Sequence, residues 1–298
     1  MSPTFSPAHR GDLAELGAIT AIIDAALAED LGAGDLTARL TVPIHTRARA
    51  RIIARQTLVF SGAPIAARVF ARVDPDLEVE VGCAEGTLVE PGTELMRISG
   101  DGRSLLAAER TVLNLLGRAC AVSTSTRRYV EAAGPSGLRV VDTRKTMPGL
   151  RALDRYAVRQ GGGHNHRNDL GSGVLIKENH IRCAGSVTEA VAMACAHAPH
   201  SVRVECEVET LAEVREAIVA GADTLLLDNM SDDQLRAAAA LAAELGGGTR
   251  KVLLEVSGGV TLERLPALGE LDVDLVSVGA LTHSAPNVDL SMLFTVSS

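Results

Sequence analysis

Ser201-Val-Arg-Val-Glu-Cys-Glu-Val-Glu-Thr-Leu-Ala-Glu-Val-Arg-Glu-Ala-Ile-Val-Ala-Gly-Ala-Asp-Thr-Leu-Leu-Leu-Asp-Asn229 contains one complete strand–helix–strand unit. Residues 202–208 read as a strand and Leu211 to Ala220 as an amphipathic helix. A glycine turn follows, and then the apolar strand 224–227, which ends in Asp228-Asn229. Connections this short force the two strands to lie parallel. The alternation extends outward from this unit in both directions, beginning at Leu138. Strands read at 138–142, 174–177, 202–208, 224–227, 252–256 and 274–278, with helical runs at Ser186–His197, Leu211–Ala220, Asp232–Leu245 and Thr261–Gly269. Six such units predict a β/α barrel in preference to an open doubly wound sheet. Polar residues close one strand after another, as they do at the carboxyl face of a barrel.

The first part of the chain has a different texture. Helix Ile19–Glu29, strand-like Ala48–Phe60, helix Pro64–Arg72, a strand–turn–strand run over Leu77–Ile98 and a long helix from Ser104 to Ala132 make an α+β pattern. The expected division is a loose tail over 1–18, an α/β domain over 19–133 and a barrel over 134–283.

Composition narrows the function. Aromatics are 2% of the chain and Trp is absent, so the rings used to stack nucleic-acid bases are missing. A net charge of -8 also argues against a nucleic-acid partner. The charge is uneven, however. The window from Asp142 to Arg182 carries +4, leaving -12 for the remainder. A cationic island on an acidic chain reads as a focused site for a small anion. Part of it, Arg151, Arg155 and Arg159 at four-residue spacing, also reads as a solvated helix face. The five cysteines form no CxxC pair, and neither a signal peptide nor a long apolar run is visible, so a reduced cytoplasmic protein is expected. Histidine and cysteine spacing does not suggest zinc.

Only three lysines occur against 26 arginines, and two of them, Lys145 and Lys177, lie in the cationic window. Where arginine is the default, a retained lysine suggests a need for a compact ammonium or for its neutral amine. Both sit at strand ends. The full set of ends is Arg144-Lys145, Lys177-Glu178, Glu207, Asp228-Asn229, Ser257-Gly258-Gly259 and Gly279. Glycine turns there let backbone N–H groups approach a phosphate. Glu207 and Asp228 suit sugar hydroxyls or a divalent ion, though carboxylates at strand ends also cap helices. A lone His166 reads first as a core histidine; the setting Asn165-His166-Arg167 after a glycine triplet shifts it to function. His164, His180 and His283 read as structural. Anions, hydroxyls and magnesium together describe a phosphorylated sugar meeting an acidic partner.

Several ordered motifs carry a more specific likeness. Asp142-Thr-Arg-Lys-Thr-Met-Pro-Gly-Leu, Gly161-Gly-Gly-His-Asn-His-Arg, Leu175-Ile-Lys-Glu-Asn-His, Leu225-Leu-Leu-Asp-Asn, Glu255-Val-Ser-Gly-Gly and Val278-Gly-Ala-Leu-Thr-His-Ser resemble quinolinate phosphoribosyltransferases over nearly the whole chain. The resemblance implies an N-terminal α/β sandwich domain, an incomplete seven-stranded β/α barrel and a C-terminal stretch, 284–298, that returns to the first domain. One strand more than the six read above is therefore expected. The implied reaction joins quinolinate to 5-phosphoribosyl 1-pyrophosphate with Mg2+, releasing pyrophosphate and carbon dioxide and giving nicotinate mononucleotide for NAD synthesis. The implied assembly is a homodimer, or a larger assembly of dimers.

By motif, Arg144, His166 and Arg167 would hold the quinolinate carboxylates, with Arg110 reaching in from the partner subunit. Lys145 and Lys177 would neutralise moving charge. Glu207 and Asp228 would bind ribose hydroxyls and metal, mostly through water or substrate, and Ser257, Gly258 and Gly279 would take the 5-phosphate. The alternatives are a molybdenum-transport-associated homologue of the same fold and a Schiff-base aldolase using Lys177. A biotinyl-type carrier, suggested by Glu85-Gly-Thr-Leu-Val-Glu-Pro-Gly, fails because no lysine precedes Lys145.

Overall fold

The computed structural model describes residues 13–246 and 251–296. Its strands, in chain order, are β1 (Arg47–Ala54), β2 (Leu58–Val59), β3 (Glu78–Val81), β4 (Leu88–Val89), β5 (Glu94–Asp101), β6 (Arg139–Val141), β7 (Val174–Ile176), β8 (Val204–Val208), β9 (Thr224–Asp228), β10 (Leu253–Ser257), β11 (Leu275–Ser277) and β12 (Leu290–Val296). The chain divides into two compact units. One holds residues up to Ala121 with 148–157 and 287–298; the other holds 122–147 and 158–286.

The first unit contains an antiparallel sheet in the order β12-β1-β5-β3, and β2 pairs separately with β4. In β1 the side chains alternate, with Ala48, Ala50 and Ile52 buried and Arg47, Arg49 and Arg51 exposed, so one face packs and the other is solvated. The last strand, β12, pairs with β1 along its length, from Ala48↔Val296 to Ala54↔Leu290. The reading of Ala48–Phe60 as one strand is corrected. β1 stops at Ala54, and a bulge separates Ile52 from Ile53 in its pairing with β5. The first helix, Leu13–Leu31, begins before Ile19, so residues 13–18 are helical rather than tail; residues 1–12 lie outside the described residues.

The second unit is built on six parallel strands in the order β7-β8-β9-β10-β11-β6. Consecutive strands are neighbours from β7 to β11, and β11 then pairs back to β6, the first strand of the unit. That cyclic order belongs to a barrel rather than an open doubly wound sheet. The seventh strand implied by the resemblance is reduced to a single parallel bridge, Val141↔His164, made by Asp142 N–H to His164 O and His164 N–H to Val140 O. Its brevity hid it from periodicity. The triplet Gly161–Gly163 presses this segment against the helix Gly102–Ala133. A Cβ on Gly161 would lie 2.6 Å from Ser123 O, and one on Gly163 2.7 Å from Thr126 Cγ2.

The helix read over Thr261–Gly269 is shorter, Leu265–Gly269, with Pro266 in its first turn, where a missing N–H costs nothing. A short helix, Glu178–Ala184, follows β7 directly.

Candidate active site

Residues two apart on a strand share one face. In the barrel, Leu175 and Lys177, Thr224 and Leu226, Glu255 and Ser257, and Leu275 and Ser277 fall on the face that lines interior cavities. One cavity, about 350 Å³, is bounded by Thr143, Arg144, Lys145, His166, Arg167 and Lys177 above Leu226, Glu255, Ser257 and Ser277. Four cations and His166, all singled out from the sequence, therefore line one space. Lys177 ion-pairs with Glu207 of β8, which places that carboxylate beside them. Asp228 pairs in register with Ser257. Gly279 lies against Lys145, because a Cβ there would sit 3.2 Å from Lys145 Cδ. Arg110 is exposed on the helix Gly102–Ala133, in the first unit.

The glycines at the site serve different ends. Gly258 has φ +82, and a Cβ on it would meet Asn229 Oδ1 at 2.2 Å, so conformation and space both demand glycine. Asn229 is itself left-handed at φ 53. Its amide donates to Asp228 Oδ2 at 2.7 Å and its N–H to Ser257 O at 3.0 Å, which couples the β9 end to the β10 turn. Gly279 is right-handed and is glycine for space alone.

The Asn165–Arg167 turn hangs from Asp142, which is fully buried. His166 N–H donates to its Oδ1 at 2.7 Å and Asn165 Nδ2 to its Oδ2 at 2.6 Å. Arg159 reaches Asn165 Oδ1 at 2.5 Å, so at least one of the spaced arginines serves the turn rather than solvent. Burial opposes charge on His166, but hydrogen bonding to Glu205, with the carboxylates of Glu255 and Asp142, outweighs it and raises the imidazole above its usual value. Arg167 shifts the other way. Burial and the neighbouring Arg144 guanidinium both disfavour its charge, the condition in which an incoming anion is welcome. Beneath them, burial and the facing Glu205 push the Glu255 carboxyl up to about 7.

Glu205, Glu255, Asp142 and Thr282 were missed as site residues. For the first two, the available signal was the two-residue step back from Glu207 and from Ser257. His180, read as structural, accepts from Lys177 N–H at 2.9 Å at the start of its helix.

The family models described as "Quinolinate phosphoribosyl transferase, C-terminal domain" and "Quinolinate phosphoribosyl transferase, N-terminal domain" match residues 122–293 and 35–120.

The chain belongs to the quinolinate phosphoribosyltransferase family.

A relative from Bacillus subtilis (strain 168), "Probable nicotinate-nucleotide pyrophosphorylase [carboxylating]", is 40% identical over 270 residues, 91% of each chain. A second, from Nicotiana tabacum and named "Quinolinate phosphoribosyltransferase [decarboxylating] 1b", is 36% identical over 91% of this chain and 81% of its own. Among solved structures, NadC from Streptococcus pyogenes superposes with a TM-score of 0.90 at 37% identity, covering 97% of this chain and 100% of that one. The α/β unit and the parallel barrel described above are thus the two parts of a quinolinate phosphoribosyltransferase.

Proposed function

We propose that the chain transfers the 5-phosphoribosyl group from 5-phosphoribosyl 1-pyrophosphate to quinolinate, with loss of carbon dioxide, to give nicotinate mononucleotide and pyrophosphate. The observation that carries the reading is the convergence of Arg144, Lys145, His166, Arg167 and Lys177 on one cavity in a chain of this family. Both substrates are polyanions, and several fixed cations lining one cavity match them.

Arg144 and Arg167, planar forks, hold the carboxylates of quinolinate from beside His166. Lys145 and Lys177 offset phosphate and pyrophosphate charge as the bond at C1 of the ribose breaks. Glu207 and Asp228 accept from the ribose hydroxyls and face the positive character that develops on the sugar. Ser257, Gly258 and Gly279 present backbone to the 5-phosphate. Rate enhancement then rests on positioning and fixed charge, with no covalent nucleophile. Carbon dioxide leaves once the ribosylated ring nitrogen can take up the electrons left at the ring carbon. A Schiff base at Lys177 would need an unpaired amine, and that amine is paired with Glu207.

The oxygen-only donor set of Glu207 and Asp228 fits a hard divalent cation such as Mg2+. One Glu207 oxygen already faces Lys177, so most of the ion's remaining ligands would be water or substrate. When bound, the ion would neutralise pyrophosphate charge. We also infer a homodimer, or an assembly of dimers, in which Arg110 completes the neighbouring site. Residence in the cytoplasm is supported by five free cysteines and by the lack, among the described residues, of any helix long and apolar enough to cross a membrane. The test is direct: purified protein, quinolinate, the pyrophosphorylated ribose and Mg2+ should yield nicotinate mononucleotide. Nicotinic acid in place of quinolinate should yield little, because one anchoring carboxylate is gone. Absence of product from quinolinate overturns the reading.

A further inference from the structure

Two acids beneath the site are unexplained by the reaction. Glu205 lies two residues before Glu207 on β8, and Glu255 two before Ser257 on β10, so both project into the barrel interior one layer below the cationic rim. Glu205 is 8% exposed and Glu255 2%. At the same level, β9 between them contributes Thr224 and Leu226. One oxygen of each acid, Glu205 Oε1 and Glu255 Oε1, is buried with no hydrogen-bond partner. Burying carboxylates with unsatisfied oxygens is costly, and an apolar residue of similar volume generally serves stability as well or better. Such an arrangement marks a functional constraint.

What the acids face is His166. Its Nε2 lies 3.3 Å from Glu205 Oε2 and 3.5 Å from Glu255 Oε1. Its other nitrogen, Nδ1, accepts the Arg167 backbone N–H at 2.7 Å. These contacts choose between two readings. One histidine and two carboxylates within 4.8 Å could hold a metal ion. A histidine ligating through Nε2 must carry its proton on Nδ1 and donate it to an acceptor. Here Nδ1 faces a donor. The proton therefore sits on Nε2, directed at the carboxylates, and the metal reading fails.

We propose that Glu205 and Glu255 are positioning residues for substrate carboxylate recognition, Glu205 accepting from His166 Nε2–H while the Glu255 carboxyl faces the same nitrogen, and so fixing the ring against which Arg167 is set. The inference rests on the assignment of Arg144, His166 and Arg167 to the quinolinate end of the site. With Nε2 held, Nδ1 stays an acceptor and the Arg167 N–H stays bonded to it, while the Arg167 guanidinium bonds Gly173 O at 3.0 Å. Without the carboxylates, the ring loses the contact that selects its tautomer. A proton on Nδ1 then expels the Arg167 N–H and displaces the arginine.

The experiment pairs kinetics with histidine 15N NMR on the full-length protein, using Glu205→Leu, Glu255→Leu, Glu205→Gln and Glu255→Gln. Misplacing a substrate-orienting group is expected to raise the KM for quinolinate by about ten-fold or more in the Leu variants, with the KM for the phosphoribosyl donor little changed. The Gln variants keep an acceptor oxygen and should recover most of that loss. NMR should find His166 protonated on Nε2 in the wild type and in the Gln variants, and redistributed in the Leu variants. A wild-type spectrum with the proton on Nδ1 alone overturns the proposal, even if the Leu variants fail to fold. So does an unchanged quinolinate KM in the Leu variants, or a parallel rise in both KM values. If the wild type does not use quinolinate, the proposed function fails by itself, and the tautomer in wild-type and Gln spectra still decides whether the acids fix the ring.

Discussion

The hydroxyl of Thr282 donates to the backbone carbonyl of Lys145 at 2.9 Å, joining the loop after β6 to the turn after β11 across 137 residues of sequence. Thr282 is fully buried, and the same hydroxyl lies 3.2 Å from Gly279 O. A residue that never reaches solvent thereby sets where the Lys145 side chain begins. Thr282→Val keeps the shape and removes the donor. It should lower stability by roughly 1 kcal/mol, the usual net worth of such a bond, as read by thermal melting. The catalytic loss, measured as kcat/KM for the phosphoribosyl donor, should exceed what that melting shift explains.

Lys145→Ala and Lys177→Ala should abolish turnover while leaving circular dichroism and melting nearly unchanged, since both residues are exposed. Lys177→Arg should not restore activity, because a planar fork cannot replace a point charge against Glu207. Mutants that keep near-wild-type rates would remove both lysines from the mechanism.

Gly258→Ala and Gly279→Ala should differ. At Gly258 the substitution meets both positive φ and the Asn229 side chain, so it should cost about 1–3 kcal/mol and weaken donor binding. At Gly279 the backbone is right-handed, and the new methyl meets only His283 at 3.0 Å and Lys145 Cδ at 3.2 Å, both side chains able to shift. Donor titrations should show the larger loss for Gly258→Ala.

The pH dependence of stability has a definite sign. Glu255, raised from 4.5 to about 7 by burial and Glu205, holds its proton more tightly when folded. Its contribution is fully present below about 4.5 and is lost as pH rises through about 7. Melting temperature should therefore fall between pH 5 and pH 8. Glu255→Gln, which cannot ionise, should flatten that fall and melt higher than wild type at the alkaline end. An unchanged slope in Glu255→Gln would show that the acid does not titrate there.

In the first unit, Arg118 and Asp154 form a two-armed ion pair, Nε–Oδ1 and Nη2–Oδ2 both at 2.8 Å, with Asp154 fully buried. Arg118→Ala leaves that carboxylate buried without its guanidinium and should destabilise by roughly 3–5 kcal/mol in denaturant unfolding. Replacing both residues with apolar ones of similar volume should recover much of the loss.

Much of the architecture was legible because strands and helices write their period into the residues. β8, the helix Leu211–Ala220 and β9 fall where the 201–229 stretch put them, since short parallel units leave little choice of pairing. The His164 bridge was invisible for the opposite reason: one residue has no period. The bend that splits Ala48–Phe60 was equally silent, because Arg55-Gln56-Thr57 contains no glycine or proline to mark a turn. The cations were legible because they cluster in one window of an otherwise acidic chain, and that window holds two of the three lysines. Glu205 was not, since a carboxylate inside a strand reads as a solvent-facing residue until curvature decides which face is inside.

The sequence by itself determined the local elements, the cationic island and the family, all of which are set by neighbours along the chain. Tertiary structure alone decided that Glu205, Glu255 and His166 meet, that Thr282 holds Lys145, and that Gly258 must stay bare beside Asn229. These contacts join residues from about 30 to nearly 140 positions apart, and sequence carries no distance across such gaps. Only closing the strands into a barrel, with alternate side chains turned inward, brings them within hydrogen-bond reach.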